Sequence, residues 1–190
     1  MVADRAGRDW CLFLDRDGVL NRQIVGDYVR SWPQFQWLPG AFAALEQLSD
    51  WAPHIVVVTN QQGIGKKLMT ADQVSSIHAR IAGELALSRV TIDEFRVCPH
   101  LDMASCRCRK PAPGMVLDWL RVHPDVDPTL SLVVGDSPSD IAMARNVAAA
   151  TGGCSSVQIG TQKPSARADA TFGSLWDLAT AVGQTREGHD

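Results

Sequence analysis

The stretch "FLDRDGVLN", residues 13–21, runs an apolar strand pattern straight into two acids separated by one residue. Asp15 and Asp17 stand where a buried strand should end. Carboxylates this close repel each other unless a cation, a proton or a chemical role keeps them together. Four further segments share the pattern of the first. "CLFLD" (11–15), "HIVVVT" (54–59), "EFRVC" (94–98), "SLVVGD" (131–136) and "SVQIG" (156–160) are short and mostly apolar or β-branched, which predicts buried strands. Helical spacing of apolar residues fills the intervals at 39–51, 70–88, 113–123, 138–150 and 172–182. Thr70 is placed to cap the second of these helices, with Ile77, Ile81 and Leu85 along one face. The third and fourth open on proline, as helix starts often do.

Alternating strands and helices at this spacing predict an α/β fold, a Rossmann-like parallel sheet with helices on both faces. Ligands of such sheets bind beyond the carboxyl ends of the strands, at a topological switch point. Three of the five expected strands end in Asp15, Thr59 and Asp136, so residues far apart in sequence should converge on one edge.

The bulk numbers fit one domain over residues 1–190, with a core over about 10–182 and a polar, frayed tail from 183 to 190. Hydrophobic residues make up 45% and charged residues 21% of the chain, ordinary proportions for a globular protein. A net charge of −3, a pI near 5.9 and the lack of a Lys/Arg stripe speak against a nucleic-acid partner. No apolar run reaches the roughly 18 to 20 residues that span a bilayer, and "MVADRAGRDW" lacks a secretory core. The expectation is a cytoplasmic monomer acting on a small molecule.

The strand ends suggest what that molecule carries. A carboxylate such as Asp15, facing a crevice, can serve as a nucleophile towards phosphorus. Asp17, two residues on, lies on the same side of an extended chain and can act as general acid and base. Asp136 brings a third carboxylate from a separate strand. A divalent cation relieves the repulsion among three acids, and Mg²⁺ is the oxygen-loving ion usually paired with phosphates. Lys110 and the Thr59 hydroxyl would then meet the phosphoryl oxygens, where charge builds.

As an ordered set, "DRDGVLN", "VVVTNQQG", "CRKPAPG" and "VVGDSPSDI" resemble the four motifs of the haloacid dehalogenase superfamily of phosphatases, over roughly residues 10–160. The resemblance implies Asp15 as nucleophile, Asp17 as general acid/base, Thr59 and Lys110 as phosphoryl stabilisers, and Mg²⁺ held by Asp15, Asp136 and the Asp17 backbone carbonyl. About 40 residues separate Asp17 from Thr59 and about 50 separate Thr59 from Lys110. The assigned strands and helices consume both intervals, so no large inserted cap fits and the site should be open.

A second signal lies in "CPHLDMASCRCRKP", residues 98–111. Cys98, His100, Cys106 and Cys108 form C-x-H-x5-C-x-C, a complete Cys₃His set for tetrahedral, structural Zn²⁺. Clustered thiols in a reducing compartment suggest metal more than disulfides, while Cys11 and Cys154 read as plain buried thiols. A metal would stiffen this loop and fix Arg109 and Lys110 as anchors for anionic groups. Two cations for one small phosphate are generous, which points to a second phosphate on the substrate.

A zinc loop ending in "CRKP" on a capless scaffold resembles the D-glycero-D-manno-heptose 1,7-bisphosphate phosphatases and the related histidinol-phosphate phosphatases. "GDYVRSWPQFQWLPGA" favours the heptose group. This resemblance implies substrate contacts from Arg16, Gln23, Gly26, Tyr28, Asn60, Gln61, Gln62, Arg109 and Ser137. Ser137 stands where relatives often carry a basic residue, and "GIGKKLMT" replaces a more usual Arg-Gly pair, with Lys66 supplying a charge. The implied function is Mg²⁺-dependent removal of a C7 phosphate in nucleotide-activated heptose synthesis. Histidinol phosphate is the alternative substrate. A zinc-stabilised binding protein without catalysis, and a DNA-end phosphatase, are rivals that the intact motif set and the acidic balance disfavour.

Overall fold

The computed structural model describes residue 5 and residues 7–160 and 167–187. Its elements run β1 (Cys11–Leu14), α1 (Ala41–Ser49), β2 (His54–Asn60), α2 (Gln62–Gly65), α3 (Ala71–Leu87), β3 (Glu94–Cys98), α4 (Gly114–Val122), β4 (Leu132–Gly135), α5 (Pro138–Thr151), β5 (Ser155–Ile159), β6 (Ala170–Phe172) and α6 (Leu175–Glu187). Short 3₁₀ turns sit at Trp32–Gln34 and Asp102–Ala104.

All strand pairs are parallel, in the order β3-β2-β1-β4-β5-β6. The chain therefore builds outward from β1 through β2 to β3, then returns to lay β4 against the other side of β1. That reversal is the switch point, and Asp15 and Asp136 lie just past the ends of the two strands that flank it. Leu12 sits between Ile55 on β2 and Leu132 on β4, which sets both ends level.

Period-2 alternation divides each strand between two faces. Leu12, Leu14, Ile55, Val57, Leu132 and Val134 point to one face, where α1, α3 and α6 contribute Leu45, Ile81 and Leu178. Cys11, Phe13, Val56, Val58 and Val133 point to the other, against Met115 and Trp119 of α4 and Met143 and Val147 of α5. Trp119 is fully buried and meets Phe13 edge to face at 5.5 Å. Each such side chain contributes on the order of 1.5–3 kcal/mol by leaving water. Both faces are covered, so the two-sided layering read from the sequence holds.

Four local differences from that reading have physical causes. β6 is three residues long and only partly buried, so it lacks the apolar run that marks a central strand; Phe172 ends it rather than starting α6. α2 carries two glycines in four residues, too weak a helix former to register. Helix α6 continues through Glu187, past the Gly183 where the polar tail was expected to begin. β1 stops at Leu14, which leaves Asp15 in the turn beyond the strand. Among the described residues no helix is long and apolar enough to cross a membrane.

Candidate active site

The turn after β1 decides how near the acids can come. Gly18 has φ +95°, and a Cβ there would lie 2.1 Å from Asp136 Oδ2. Only glycine allows both the left-handed backbone and the approach of that carboxylate. Beyond it the loop folds back on itself. Gly18 N–H donates to the Asn21 carbonyl, Arg22 N–H to Gln36, and Leu38 N–H to Leu20, so residues 22–36 arch over the strand ends.

Beneath this arch lies a crevice of about 240 Å³, lined by Asp15, Asp17, Thr59, Lys110 and Asp136, with Gln23, Tyr28, Asn60 and Ser137 among the walls. Lys110 Nζ lies 2.7 Å from Asp15 Oδ1 and 2.6 Å from Asp140 Oδ1, and donates to the Val58 carbonyl at 3.2 Å. The ammonium is thus surrounded by three oxygens. Asn60 holds the lysine's backbone from β2, accepting from Lys110 N–H at 3.0 Å and donating to its carbonyl at 3.2 Å. The end of the cysteine loop is tied to the sheet in this way.

Burial, with the charges of Asp140 and Asp17, pushes Asp15 up to about 8 against the pull of Lys110. Asp136 is pushed up to about 6, first by burial and then by Asp140. Burial opposes the Lys110 charge, but Asp15 and Asp140 outweigh it and hold the ammonium protonated. Asp17 behaves oppositely. Burial would raise it, yet Arg16 and hydrogen bonds from Asn21 and Gln61 hold it below the usual carboxylate range. Asn21 donates to Oδ1 at 2.9 Å, Gln61 to Oδ2 at 2.8 Å, and Arg16 Nη2 to both oxygens at 3.0 and 2.9 Å.

Oxygens of Asp15, Asp136 and Asp140 lie within 4.8 Å of one another. This all-oxygen, acidic set, with Gly18 leaving room for Asp136, fits a hard divalent cation. At the end of β3, Cys98, His100, Cys106 and Cys108 form a second group. Cys98 Sγ lies 3.6 Å from Cys106 Sγ and from His100 Nδ1, and 3.3 Å from Cys108 Sγ; Cys108 Sγ lies 3.5 Å from Cys106 Sγ and 3.2 Å from His100 Nδ1. A tetrahedral zinc with bonds of about 2.3 Å to sulfur has sulfur–sulfur edges of about 3.8 Å, so the four donors already outline that solid. Burial pushes the Cys98 thiol up to about 12. Burial resists ionisation at Cys106 too, but hydrogen bonds from the Arg109 and Cys108 backbone and from the neighbouring thiols bring it down to about 7.

Some expected substrate contacts lie elsewhere. Arg16 is fully buried and spends its guanidinium on Asp17 and His78, so none of it is presented to the crevice. Gln61 is also buried, and its amide divides between Asp17 and Thr59 Oγ1, the latter at 2.7 Å. Both support the acids and face away from the crevice. Gly26 makes an exposed turn at φ +77°. Gln62 lines a separate, shallower cavity of about 500 Å³ with Leu101, Asp102 and Met103. Arg109 reaches Asp102 at 2.9 Å and Gln62 at 3.5 Å beside it.

Sequence reading missed Asp140, whose carboxylate accepts from Ser137 and meets Lys110. Its signal was the second acid of "GDSPSD", which also reads as an ordinary helix-start residue. It missed Val29 and Ser139 of the crevice wall as well.

The HAD-hydrolase-like family model matches residues 107–178. D-glycero-α-D-manno-heptose-1,7-bisphosphate 7-phosphatase of Mycobacterium tuberculosis H37Rv is 62% identical over 186 residues, 98% of either chain. The chain belongs to the heptose-1,7-bisphosphate 7-phosphatase family of haloacid dehalogenase-like hydrolases. A family member named for the β anomer, from Rhodopseudomonas palustris, is 39% identical over 70% of this chain and 76% of its own. The fold agrees with the D,D-heptose 1,7-bisphosphate phosphatase of B. bronchiseptica, solved with magnesium and phosphate, at a TM-score of 0.81 and 28% identity. That alignment covers 93% of this chain and 99% of the other. The resemblance read from the four motifs and the cysteine loop is therefore correct, as is the capless parallel-sheet scaffold.

Proposed function

We propose that this chain hydrolyses the C7 phosphate of D-glycero-α-D-manno-heptose 1,7-bisphosphate, in nucleotide-activated heptose synthesis, through a phospho-aspartyl intermediate on Asp15. The observation that carries the reading is the Asp15 carboxylate itself: buried at the switch point, 2.7 Å from Lys110, within a crevice open to a small molecule. Identity of 62% across the length of a relative named for the α anomer supports that anomer over β, and supports heptose over histidinol phosphate.

An Asp15 oxygen attacks phosphorus as the bond to the C7 oxygen breaks, and Asp17 gives that oxygen its proton. Asp17 then takes a proton from water, which attacks phosphorus and frees inorganic phosphate and the Asp15 carboxylate. Asp17, ionised in the free site, takes up a proton from solvent as the negatively charged phosphate arrives beside it and raises its proton affinity; that proton goes to the C7 oxygen, and the one later taken from water replaces it. Thr59 and the Lys110 ammonium, 2.7 Å from Asp15, can pass to the phosphoryl oxygens. Asp15, Asp136 and the Asp17 backbone carbonyl would hold Mg²⁺, with the Asp140 carboxylate beside them. The ion would offset the crowded acids and the phosphoryl charge. Cys98, His100, Cys106 and Cys108 would hold structural Zn²⁺.

Gln23, Tyr28, Asn60 and Ser137 would meet the sugar, and Arg109 the distal phosphate, once its contact with exposed Asp102 yields. A monomer is the expected form. A reducing cytoplasm would keep the zinc thiols available.

The test is phosphate release measured side by side on the two heptose bisphosphate anomers and on histidinol phosphate. The α anomer should be turned over fastest. Preference for histidinol phosphate would overturn the substrate, and preference for the β anomer would overturn the stereochemistry alone.

A further inference from the structure

Behind Asp17, away from the crevice, a buried line of side chains runs through the sheet face. Arg16 is 0% exposed, and its two terminal nitrogens go separate ways. Nη2 holds both oxygens of Asp17, while Nη1 lies 3.1 Å from His78 Nε2. A guanidinium has no acceptor, so the imidazole must accept at Nε2 and carry its proton on Nδ1. His78 comes from the buried face of α3 and stacks on Phe95 of β3, with centroids 4.4 Å apart and planes 16° apart. The ring plane is therefore set by packing, and its lone pair is aimed at the arginine. Burial and the neighbouring cation bring the imidazole down to about 3, so it remains a neutral acceptor at working pH.

This is a costly way to fill space. A buried ion pair seldom stabilises a fold better than apolar residues of similar size, and a buried Arg must keep its charge. What the pair supplies is direction. One nitrogen spanning both Asp17 oxygens would let the guanidinium swing about that contact; a second anchor at Nη1 removes the swing. Asn21 and Gln61 fix the carboxylate from the other sides.

We propose that His78 is a positioning residue for proton transfer, orienting Asp17 through Arg16. The inference rests on the reading of Asp17 as general acid and base. It adds a residue of α3, remote in sequence from the four motifs, to the machinery.

The experiment compares wild type with His78→Leu and His78→Gln on heptose 1,7-bisphosphate and on p-nitrophenyl phosphate. A sugar alkoxide needs a proton to leave, whereas p-nitrophenolate leaves without one. His78→Leu should lower kcat/KM, which reports the step that expels the leaving group and not the shared hydrolysis of the phospho-aspartate, by about 10- to 100-fold on the sugar bisphosphate, the scale of a misplaced catalytic group, with little change in KM. The loss on p-nitrophenyl phosphate should be several-fold smaller, and His78→Gln, which restores an acceptor, should recover most of the rate. Equal losses on both substrates, or none, would overturn the positioning role while leaving the phosphatase reading intact. Failure of wild type to release phosphate from the heptose substrate would overturn that reading instead. Ring ¹⁵N shifts of wild-type His78 give an answer even where the leucine variant does not fold. A bare Nε2 near neutral pH supports the contact, and a protonated Nε2 would refute it.

Discussion

The crevice and the cysteine loop lie side by side at one edge of the sheet, and they are ordered by different means. Crevice acids hang from the ends of β1 and β4, whose positions are fixed by strand pairing and two packed faces. The loop from Cys98 to Lys110 has only one 3₁₀ turn of its own and gathers four metal-type donors at its centre. The first region is set by the hydrophobic core; the second would need an ion to be stiff. Lys110 belongs to both, leaving the loop yet inserted among the acids and tied to Asn60. Damage to the crevice should thus remove chemistry and spare the fold, while damage to the loop should spread through Lys110 into the crevice.

The largest expected effect tests the crevice side. Asp15→Asn should reduce turnover by about 10⁴-fold or more, since the nucleophile has no substitute. The melting temperature and zinc content should hardly move. Turnover near the wild-type rate would exclude the phospho-aspartyl route, and a collapse of the fold would break the contrast between the regions.

On the loop side, Cys106→Ser should lose zinc, measured by elemental analysis, and lower the melting temperature as well as the rate. A shift of about 1 Å at Lys110 is enough for a roughly 100-fold fall in kcat. Zinc-free protein that is fully active would show that the loop does not position the lysine.

Arg109→Ala should have a smaller and more selective effect. The reacting phosphate has Lys110 and Thr59, whereas the distal phosphate has few other cations to meet. One lost charge-assisted contact, worth on the order of 1.5–3 kcal/mol, lowers kcat/KM for the bisphosphate about 10- to 100-fold. A monophosphate should be nearly unaffected. Equal losses on both would mean that Arg109 reads no second phosphate.

The two regions also differed in how far the sequence could be read. Strand ends such as Asp15, Thr59 and Asp136 were legible because a buried strand running into a polar group is rare without a reason. The cluster of Cys98, His100, Cys106 and Cys108 was legible because its spacing is local. Arg16 was misjudged: its place between Asp15 and Asp17 suggested a substrate contact, but its guanidinium is fully buried and folds onto Asp17 and His78. His78 and Asp140 were hidden for a different reason. Each sits on a helix where its residue type is commonplace, and only the packing of α3 and α5 against β1 and β4 brings it to the acids. Contacts between elements are not written in the spacing within one.

The last expectation uses the crowding of acids at the switch point, and its sign follows from proton counts. Asp136 is raised to about 6 and Asp15 to about 8, from an ordinary carboxylate value of 3.8. Between about pH 4 and pH 8 these two carboxyls therefore hold protons in the folded protein that the unfolded chain has released; His78, held neutral by the fold, works the other way only below about pH 6.5 and offsets part of the trend. Stability falls as pH rises wherever the folded state binds more protons. Protein stripped of Mg²⁺ but retaining zinc should consequently melt at a lower temperature at pH 8 than at pH 5.5. A divalent cation competes with those protons, so it binds better as they leave. Added Mg²⁺ should raise the melting temperature more at pH 8 than at pH 5.5, by a few degrees for each kcal/mol of binding energy gained. Asp136→Asn removes one competing group and should flatten both trends. An equal Mg²⁺ effect at the two pH values, with no change in the variant, would mean that the acids at the ends of β1 and β4 do not share a cation, and that the crevice does not depend on one to keep Asp15 ionised.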